Sequence, residues 1–384
     1  MKSKVRARNV FLILFALAVL GVPIAATQAL EPVRIAAVFA MTGLAAETNL
    51  PSVQGVRDGI ADINRRGGLL GRPVEFLVLD NRSTPVGSKI AAECAVEAEA
   101  AVIIGSQWST HSLAVAQVAQ KARIPMVSNA STSARLTQVG PYIFRVCYKD
   151  PFQAEVMAAF ASKDLKARTA AVAVDLTSDY AMDLSREFGV FFERGGGQVV
   201  RVIHYKRGQE RYDEVVRAAR QADPDVLFIP GYDESAAIIL EAAEAGLEAV
   251  PLGGDGWSSP SFLRRGKGRL IESFFCTHWA EGVATAVSKD FVKRHGGNVP
   301  IPPSRALAYD AVMLAADAVE RAGVLDSRRI RDALASTTRF QGVTGTISFN
   351  AFGDPVKNAV IMRVQGDRVT YQKTIDPGSS DLGP

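Results

Sequence analysis

Two segments rich in hydroxyl groups follow neighbouring apolar runs of the sequence. Residues 106–112 read SQWSTHS directly after AVIIG, and residues 128–133 read SNASTS directly after IPMV. Hydroxyl groups beside the unpaired N–H groups of a helix start can hold a carboxylate without any Lys or Arg. Each segment taken singly is better explained as an ordinary helix N-cap. Two of them at adjacent strand ends make a carboxylate-binding cradle equally well supported.

Acidic and aromatic residues follow apolar runs in the second half of the chain. They are Asp179-Tyr180, Tyr232-Asp233 and Asp255-Gly256-Trp257. A carboxylate next to tyrosine rings suits an ammonium group, through charge-assisted hydrogen bonds and contact with aromatic faces. An Asp before a helix is usually a cap and a Tyr usually packs, so both interpretations stay open. Asp255 is the least cap-like, because the glycines around it allow close approach of the backbone.

The sequence lacks the motifs of the common enzyme and metal sites. It contains no GxSxG, HExxH or Walker lysine loop, and no GxGxxG follows the first predicted strand. The three cysteines are widely spaced, and the four histidines are scattered at positions 111, 204, 278 and 295. We therefore expect a non-catalytic protein with no catalytic residue, no metal ion and no cofactor. The alternative is a secreted α/β enzyme that uses His111 at a strand end.

Short β-branched runs alternate with longer helical patterns from Val33 onward, which is typical of βαβ units and parallel sheets. The predicted strands are 33–40, 74–80, 101–105, 124–130, 142–146, 169–175, 198–205, 226–231 and 249–256. The predicted helices are 53–67, 89–100, 113–122, 213–222, 234–246, 308–323 and 327–337. A break near Asp150-Pro151 divides the alternation, so we predict an α/β protein with two Rossmann-like lobes. Ligands of such sheets bind beyond the carboxyl ends of the strands, where the polar segments above are found.

The first 29 residues have the composition of a signal peptide. Four basic residues precede an apolar run that contains Gly21 and Pro23, and residues 27–29 supply small side chains for cleavage. Their removal deletes 4 of the 44 Lys and Arg residues and none of the 40 Asp and Glu residues, which leaves 40 of each. We therefore predict a secreted, soluble protein whose mature part has no net charge to attract nucleic acid.

Stretches along the whole mature chain resemble the periplasmic leucine/isoleucine/valine-binding proteins of ABC transporters. They include GVRDGIADINRRGGLLGRPVEFLVLDNRSTP, SNASTSARLT, DLTSDYAMDLSREF, PGYDESAAIILEAAEAG and GGDGWSSP. The resemblance implies the type I periplasmic-binding fold, in which two lobes joined by three crossovers close on one ligand. It puts the crossovers near residues 150, 280 and 355. The signal peptide would be 1–29, lobe 1 would be 30–150 and 281–355, and lobe 2 would be 151–280 and 356–384.

The same resemblance implies ligand-binding roles in lobe 1. Ser109 would hold the α-carboxylate of an amino acid together with Ala130 and Thr132. Trp108 and Ser131, which are their chain neighbours, would belong to the same site.

Roles on the other side of the cleft are implied as well. Asp255 would take the α-ammonium group of the ligand. Tyr180, Tyr232 and Trp257 would lie around it. Tyr309 would supply a further aromatic ring near the cleft.

These features predict the solute-binding component of an ABC transporter. It would bind a small amino acid, branched-chain or related, in the periplasm by closing its lobes. It would then deliver that ligand, as a monomer, to the permease subunits in the inner membrane. Asp255 is one methylene shorter than the glutamate of the leucine-type binders, and Trp108 is bulky beside Ser109. The ligand side chain therefore stays open, and the alternatives are an aromatic or other carboxylate, an amide, or a ligand sensor in place of a transport component.

Overall fold

The protein is described here from a computed structural model that covers residues 30–282, 285–380 and 382. The predicted signal peptide, residues 1–29, lies outside the described residues. The strands are β1 Val33–Phe39, β2 Val74–Asp80, β3 Val102–Gly105, β4 Met126–Ser128, β5 Ile143–Arg145, β6 Thr169–Asp175, β7 Gln198–Tyr205, β8 Val226–Phe228, β9 Val250–Gly253, β10 Leu270–Thr277, β11 Phe340–Gly342, β12 Gly345–Ile347, β13 Ala359–Gly366 and β14 Arg368–Ile375.

Helices fill most of the connections between these strands. They are α1 Ala46–Arg65, α2 Pro85–Glu97, α3 Ser109–Ala122, α4 Arg135–Gln138, α5 Asp150–Ala159, α6 Asp179–Arg194, α7 Asp213–Ala222, α8 Glu234–Glu244, α9 Pro260–Gly266, α10 Ala286–His295, α11 Pro303–Ala322 and α12 Ser327–Ala335. Of the helices in the part of the chain that the structure describes, none combines the length and the hydropathy needed to cross a bilayer.

Two sheets organise the chain. The first has the order β2-β1-β3-β4-β5 and is parallel throughout. The second has the order β14-β13-β10-β9-β8-β6-β7, in which β13 and β14 join the parallel strands in antiparallel fashion. The predicted α/β fold with two Rossmann-like lobes is confirmed. The exact lobe boundaries stay a prediction that this distribution of strands supports.

The chain passes between the two sheets three times. It leaves the first sheet after Arg145, returns to the first sheet's helices after Thr277, and enters the second sheet again at Ala359. Between the last two passages α11 packs against α1, beside the first sheet. The crossovers near residues 150, 280 and 355 stay a prediction, which these passages support.

Each sheet has an apolar core on both faces. The first sheet packs against α1 and α11 on one face and against α2 and α3 on the other. The second packs against α5 and α6 on one face and against α7, α8 and α9 on the other. Strands that are covered on both faces consist of continuous apolar residues, and this is why the sequence predicted their positions.

The observed elements differ from the predicted ones at several places, including the following three. Helix α1 begins seven residues earlier than the predicted helix and continues through Pro51. Strand β10 was not predicted, although its segment LIESFFCT is largely buried. The predicted strand 249–256 ends at Gly253, and residues 255–257 form a 3-10 turn.

Phe188 tests the packing of the second core. Its ring is fully buried and stacks on Phe228 with centroids 3.9 Å apart. We expect Phe188→Ala to lower the free energy of unfolding by about 3–5 kcal/mol, since it leaves a cavity between α6 and β8. Urea unfolding of the mature protein measures this loss. Val190→Ala, on the exposed side of α6, is the control, and a loss for Phe188→Ala no larger than that of the control would contradict the packing.

Candidate ligand-binding site

A cavity lies where the carboxyl ends of the parallel strands of the two sheets face each other. The centres of water-sized spheres can occupy about 30 Å³ of it, which is room for about two water molecules. The predicted site residues that line it are Trp108, Ser109, Ala130, Thr132, Tyr180, Tyr232 and Asp255. The structure thus brings the two hydroxyl-rich segments and the acidic turn to one place.

Ser109 and residues 128–133 form the wall that belongs to the first sheet. Ser109 is the first residue of α3, and its hydroxyl accepts the N–H of Ser133 at 3.2 Å. The N-cap of α3 is Trp108, which makes no side-chain capping bond. The capping explanation therefore fails at α3, whose first N–H groups have no partner within the helix. Since Ser109 lines the cavity, this helix start presents donors to it.

Asp255 dominates the opposite wall. Its backbone N–H donates to Gln153 Oε1 at 3.2 Å, and its Oδ2 lies 3.0 Å from His278 Nε2. Its Oδ1 is buried and has no hydrogen-bond partner. A buried carboxylate oxygen without a partner is costly. The cavity that Asp255 lines is therefore a place where a donor or a cation would be stabilised.

Glycines hold the Asp255 turn close to its neighbours, as predicted. A Cβ on Gly254 would overlap the Tyr180 hydroxyl, and one on Gly256 would overlap the carbonyl oxygen of Gly231. The N–H of Gly256 donates to the Tyr180 hydroxyl at 3.2 Å. The turn therefore fits against Tyr180 of α6 and against Gly231 only with glycines on both sides of Asp255.

His278 is a site residue that the sequence did not reveal. It follows β10 directly and lines the cavity. Burial lowers the pKa of His278, while its bond to Asp255 opposes the shift, so the ring is neutral at pH 7. A neutral ring that donates from Nε2 to the Asp255 carboxylate keeps no hydrogen on Nδ1, which is buried without a partner. A prediction of β10 would have identified this position, because it lies at a strand end.

Trp108 joins the two walls. Its indole ring stacks on Tyr232 of the opposite wall, with centroids 4.1 Å apart and planes 12° apart. The Arg207 guanidinium lies 4.1 Å from the centre of the same ring and is paired with Asp233 and Glu234. Stacking and cation–π contacts of this kind each contribute about 1 kcal/mol. Trp108 therefore helps to hold the cavity shut.

Three predicted site residues do not line the cavity. Ser131 lies behind Ser109, to which its hydroxyl donates at 3.2 Å. Trp257 is buried in the core between the second sheet and α7, α8 and α9, where its Nε1 donates to the carbonyl oxygen of Ile229 and its ring stacks on Phe262. The prediction that Trp257 lines the cleft was wrong, because its ring packs in this apolar core and not beside the Asp255 carboxylate.

Tyr309 is the third of these residues. Its hydroxyl donates to Asp62 at 2.8 Å, within a cluster that also holds Phe291. Leu307, two residues earlier on α11, does line the cavity. Residues two apart on a helix point about 200° apart, so Tyr309 faces α1 instead.

Further residues line the cavity that the sequence analysis did not assign to the ligand. They are Thr48, Gln107, Gly256, Ser258, Ser259, Thr277, His278, Pro303, Ser304 and Leu307. Thr48 precedes the predicted helix 53–67, and Pro303 and Ser304 precede the predicted helix 308–323. Their signal was hidden because the first turns of α1 and α11 carry polar or proline residues in place of an apolar stripe.

His111, which the enzyme alternative would use, is buried beside Trp108. Burial lowers the pKa of His111 to about 4, and its ring stacks on Trp108 with centroids 5.4 Å apart. Within residues 30–282, 285–380 and 382, no three His, Cys, Asp or Glu side chains are grouped as metal ligands. Cys94, Cys147 and Cys276 are free thiols.

Asp150 lies behind this site, at the start of α5. It is fully buried, and Gln153 Nε2 donates to its Oδ1 at 2.7 Å. Burial raises the pKa of Asp150 to about 8. The folded protein therefore holds a proton between about pH 4 and pH 8 that the unfolded chain releases. The contribution of Asp150 to stability is complete below this window and is lost as the pH rises through it.

The variant Asp150→Asn should abolish that pH dependence, because Asn imitates the protonated carboxyl. The quantity to compare is the free energy of unfolding of the variant minus that of the native protein. We expect this difference to be larger at pH 8 than at pH 5 by about 1 kcal/mol or more. Urea unfolding at both pH values measures the difference. Asp367→Asn, in the exposed turn between β13 and β14, is the matched control. An equal pH dependence of native protein and Asp150→Asn would show that Asp150 is ionised in the fold.

The fold and this cavity define a two-lobed solute-binding protein. A profile described as "Periplasmic binding protein" matches residues 32–368, and the chain belongs to that family. The Leu/Ile/Val-binding protein homolog 3 of Brucella melitensis is 26% identical over 336 residues, which cover 86% of this chain and 90% of the relative. The predicted relationship to the leucine/isoleucine/valine-binding proteins is confirmed.

Solved structures give the same result. A leucine-binding protein from Thermotoga maritima is 33% identical, with a TM-score of 0.86 over 90% of this chain and 99% of that chain. A branched-chain amino acid transporter substrate-binding protein from Streptococcus pneumoniae, solved with isoleucine, is 26% identical. Its TM-score is 0.84 over 90% of this chain and 100% of that chain. Members of this family are solute-binding proteins, not enzymes.

Proposed function

We propose that this protein is the periplasmic solute-binding component of an ABC transporter and that it captures a small α-amino acid. The observation that carries the proposal is Asp255 Oδ1, a buried carboxylate oxygen without a partner at the cavity wall. The opposite wall offers the start of α3 and the Thr132 segment. A zwitterion satisfies both walls at once, with its ammonium group on Asp255 and its carboxylate on the first-sheet wall.

Each lining residue has a part in this proposal. Ser109, Ala130 and Thr132 bind the α-carboxylate through hydroxyl and backbone groups. Tyr180 and Tyr232 are buried, and burial raises the pKa of both phenols well above the usual value. They are therefore neutral and present ring faces and hydroxyl groups near the ammonium group.

Closure explains how binding becomes a signal for transport. A ligand that touches both walls stabilises the closed arrangement by the difference between its affinities for the closed and open forms. The closed shape is then what the permease subunits in the inner membrane recognise. Export by the signal peptide 1–29 and action as a monomer without a cofactor complete the proposal.

Asp255→Asn is the direct test. The variant keeps the shape of the side chain but removes the charge that pairs with an ammonium group. We expect it to weaken binding of L-leucine or another bound amino acid by about 2 kcal/mol, which is about 30-fold. Isothermal titration calorimetry of the mature protein measures the change, after a thermal-shift screen has ranked the amino acids.

Asp213→Asn is the matched control, because this aspartate is exposed on α7. It should leave the affinity unchanged. An Asp255→Asn variant that binds every tested amino acid as tightly as the native protein would refute the proposal. Stabilisation only by acids that lack an amine, such as benzoate, would favour the aromatic-carboxylate alternative.

Trp108 should limit the size of the ligand. Its indole lines the cavity beside Ser109 and is held by Tyr232 and Arg207. A small ligand displaces it least, because the cavity has so little free volume. We expect Trp108→Leu to raise the affinity for L-phenylalanine relative to L-alanine by about tenfold, as pocket enlargement does elsewhere.

Calorimetric titration of both amino acids into both proteins gives this ratio. Trp108→Phe is the control, since a smaller ring retains most of the stacking and should change the ratio less. A ratio that is the same in native protein and Trp108→Leu would show that the ligand side chain points elsewhere.

A further inference from the structure

A buried arginine lies directly behind the carboxylate-binding segment. Arg145 ends β5 and is completely inaccessible to solvent. Its Nη1 donates to the carbonyl oxygen of Ser131 and its Nη2 to that of Ser133, both at 2.8 Å. Arg145 does not line the cavity, and the proposed function gives it no task. Its side chain nevertheless binds the two residues that flank Thr132.

These bonds fix which way the peptide groups face. The C=O and N–H of one planar peptide unit point in opposite directions. When the Ser131 carbonyl points to Arg145, the N–H of Thr132 in the same unit points away from it, to the side of the cavity that Thr132 lines. The next unit follows the same rule. Its Thr132 carbonyl accepts the N–H of Asp150 at 2.9 Å, and its Ser133 N–H donates to Ser109 Oγ.

The charge behind the segment is also unbalanced. Arg145 Nε lies 2.8 Å from Asp354 Oδ1, and Lys149 Nζ lies 3.1 Å from Asp354 Oδ2. Two cations thus share one carboxylate, and the Arg145–Asp354 pair is almost fully buried. Within the buried pair, the Arg145 Nη atoms lie on the segment and the carboxylate lies on the Nε side. The positive end of this weakly screened pair therefore faces an anion on the other side of the segment, whereas the charge of Lys149 is partly exposed to water.

We propose that Arg145 is a positioning residue for the ligand carboxylate. It turns the N–H of Thr132 toward the cavity and supplies the positive charge behind it, while Asp354 moderates that charge. Asp354 lies just before the third passage between the sheets and Arg145 just before the first. The carboxylate site is therefore anchored where the chain crosses between the lobes. This inference rests on the proposed function, because it requires a ligand with a carboxylate.

The experiment compares a carboxylate ligand with its neutral amide. Calorimetry at pH 6 gives the affinities of L-leucine and L-leucinamide, both protonated at the amine, for native protein, Arg145→Gln and Asp354→Asn. We expect Arg145→Gln to lower the leucine-to-leucinamide affinity ratio about tenfold and Asp354→Asn to raise it about threefold. Arg328→Gln, at an exposed position on α12, is the control and should leave the ratio unchanged.

The two variants separate positioning from a structural role. If Arg145 and Asp354 only maintain the structure, each substitution should lower the affinities for L-leucine and L-leucinamide by the same factor. The affinity ratio would then be unchanged, which overturns the inference. If circular dichroism shows that Arg145→Gln does not fold, Asp354→Asn decides. A raised ratio supports the inference, and an unchanged or lowered ratio overturns it. Failure of the native protein to bind any amino acid would instead refute the proposed function, and this inference with it.

Discussion

A buried carboxylate faces the uncapped start of a helix across one small cavity, and the two walls belong to different sheets. Asp255 has one oxygen held by His278 and one without a partner. The start of α3 opposite has no side-chain cap. Burying such groups costs free energy unless each finds a partner of opposite polarity. The fold keeps both at the carboxyl ends of parallel strands, where an object with a charge at each end can satisfy them together.

Direct contacts also join the first-sheet side of the cavity to the second-sheet side, so a ligand need not supply all of the free energy of closure. Trp108 stacks on Tyr232, and Arg135 pairs with Asp179 at 2.6 Å, while Ser133 donates to Asp183 at 2.6 Å. Arg135 is half exposed, so its ion pair adds little in water. These contacts lower the free energy of the closed arrangement in the absence of ligand. Any further shift of the equilibrium toward the closed arrangement must come from the ligand itself.

Much of this arrangement could be predicted from the sequence, and the failures have physical causes. Strand positions followed from apolar runs buried on both faces, and the polar segments after them converged because parallel strands end at one edge. Thr48 and His278 were missed because α1 runs through Pro51 and β10 went unrecognised. Trp257 and Tyr309 point away from the cavity. The direction of each side chain depends on its position around a turn or a helix, which the residue type does not encode.

One ligand is proposed to bridge the two walls by its two charged groups. Calorimetry of the mature protein with L-leucine, 4-methylpentanoate and 3-methylbutylamine tests it, because the last two each lack one charged group of the first. We expect each of the two analogues to bind about 100-fold more weakly than L-leucine. Binding of 4-methylpentanoate as tight as that of L-leucine would contradict it, since Asp255 would then contribute nothing to recognition.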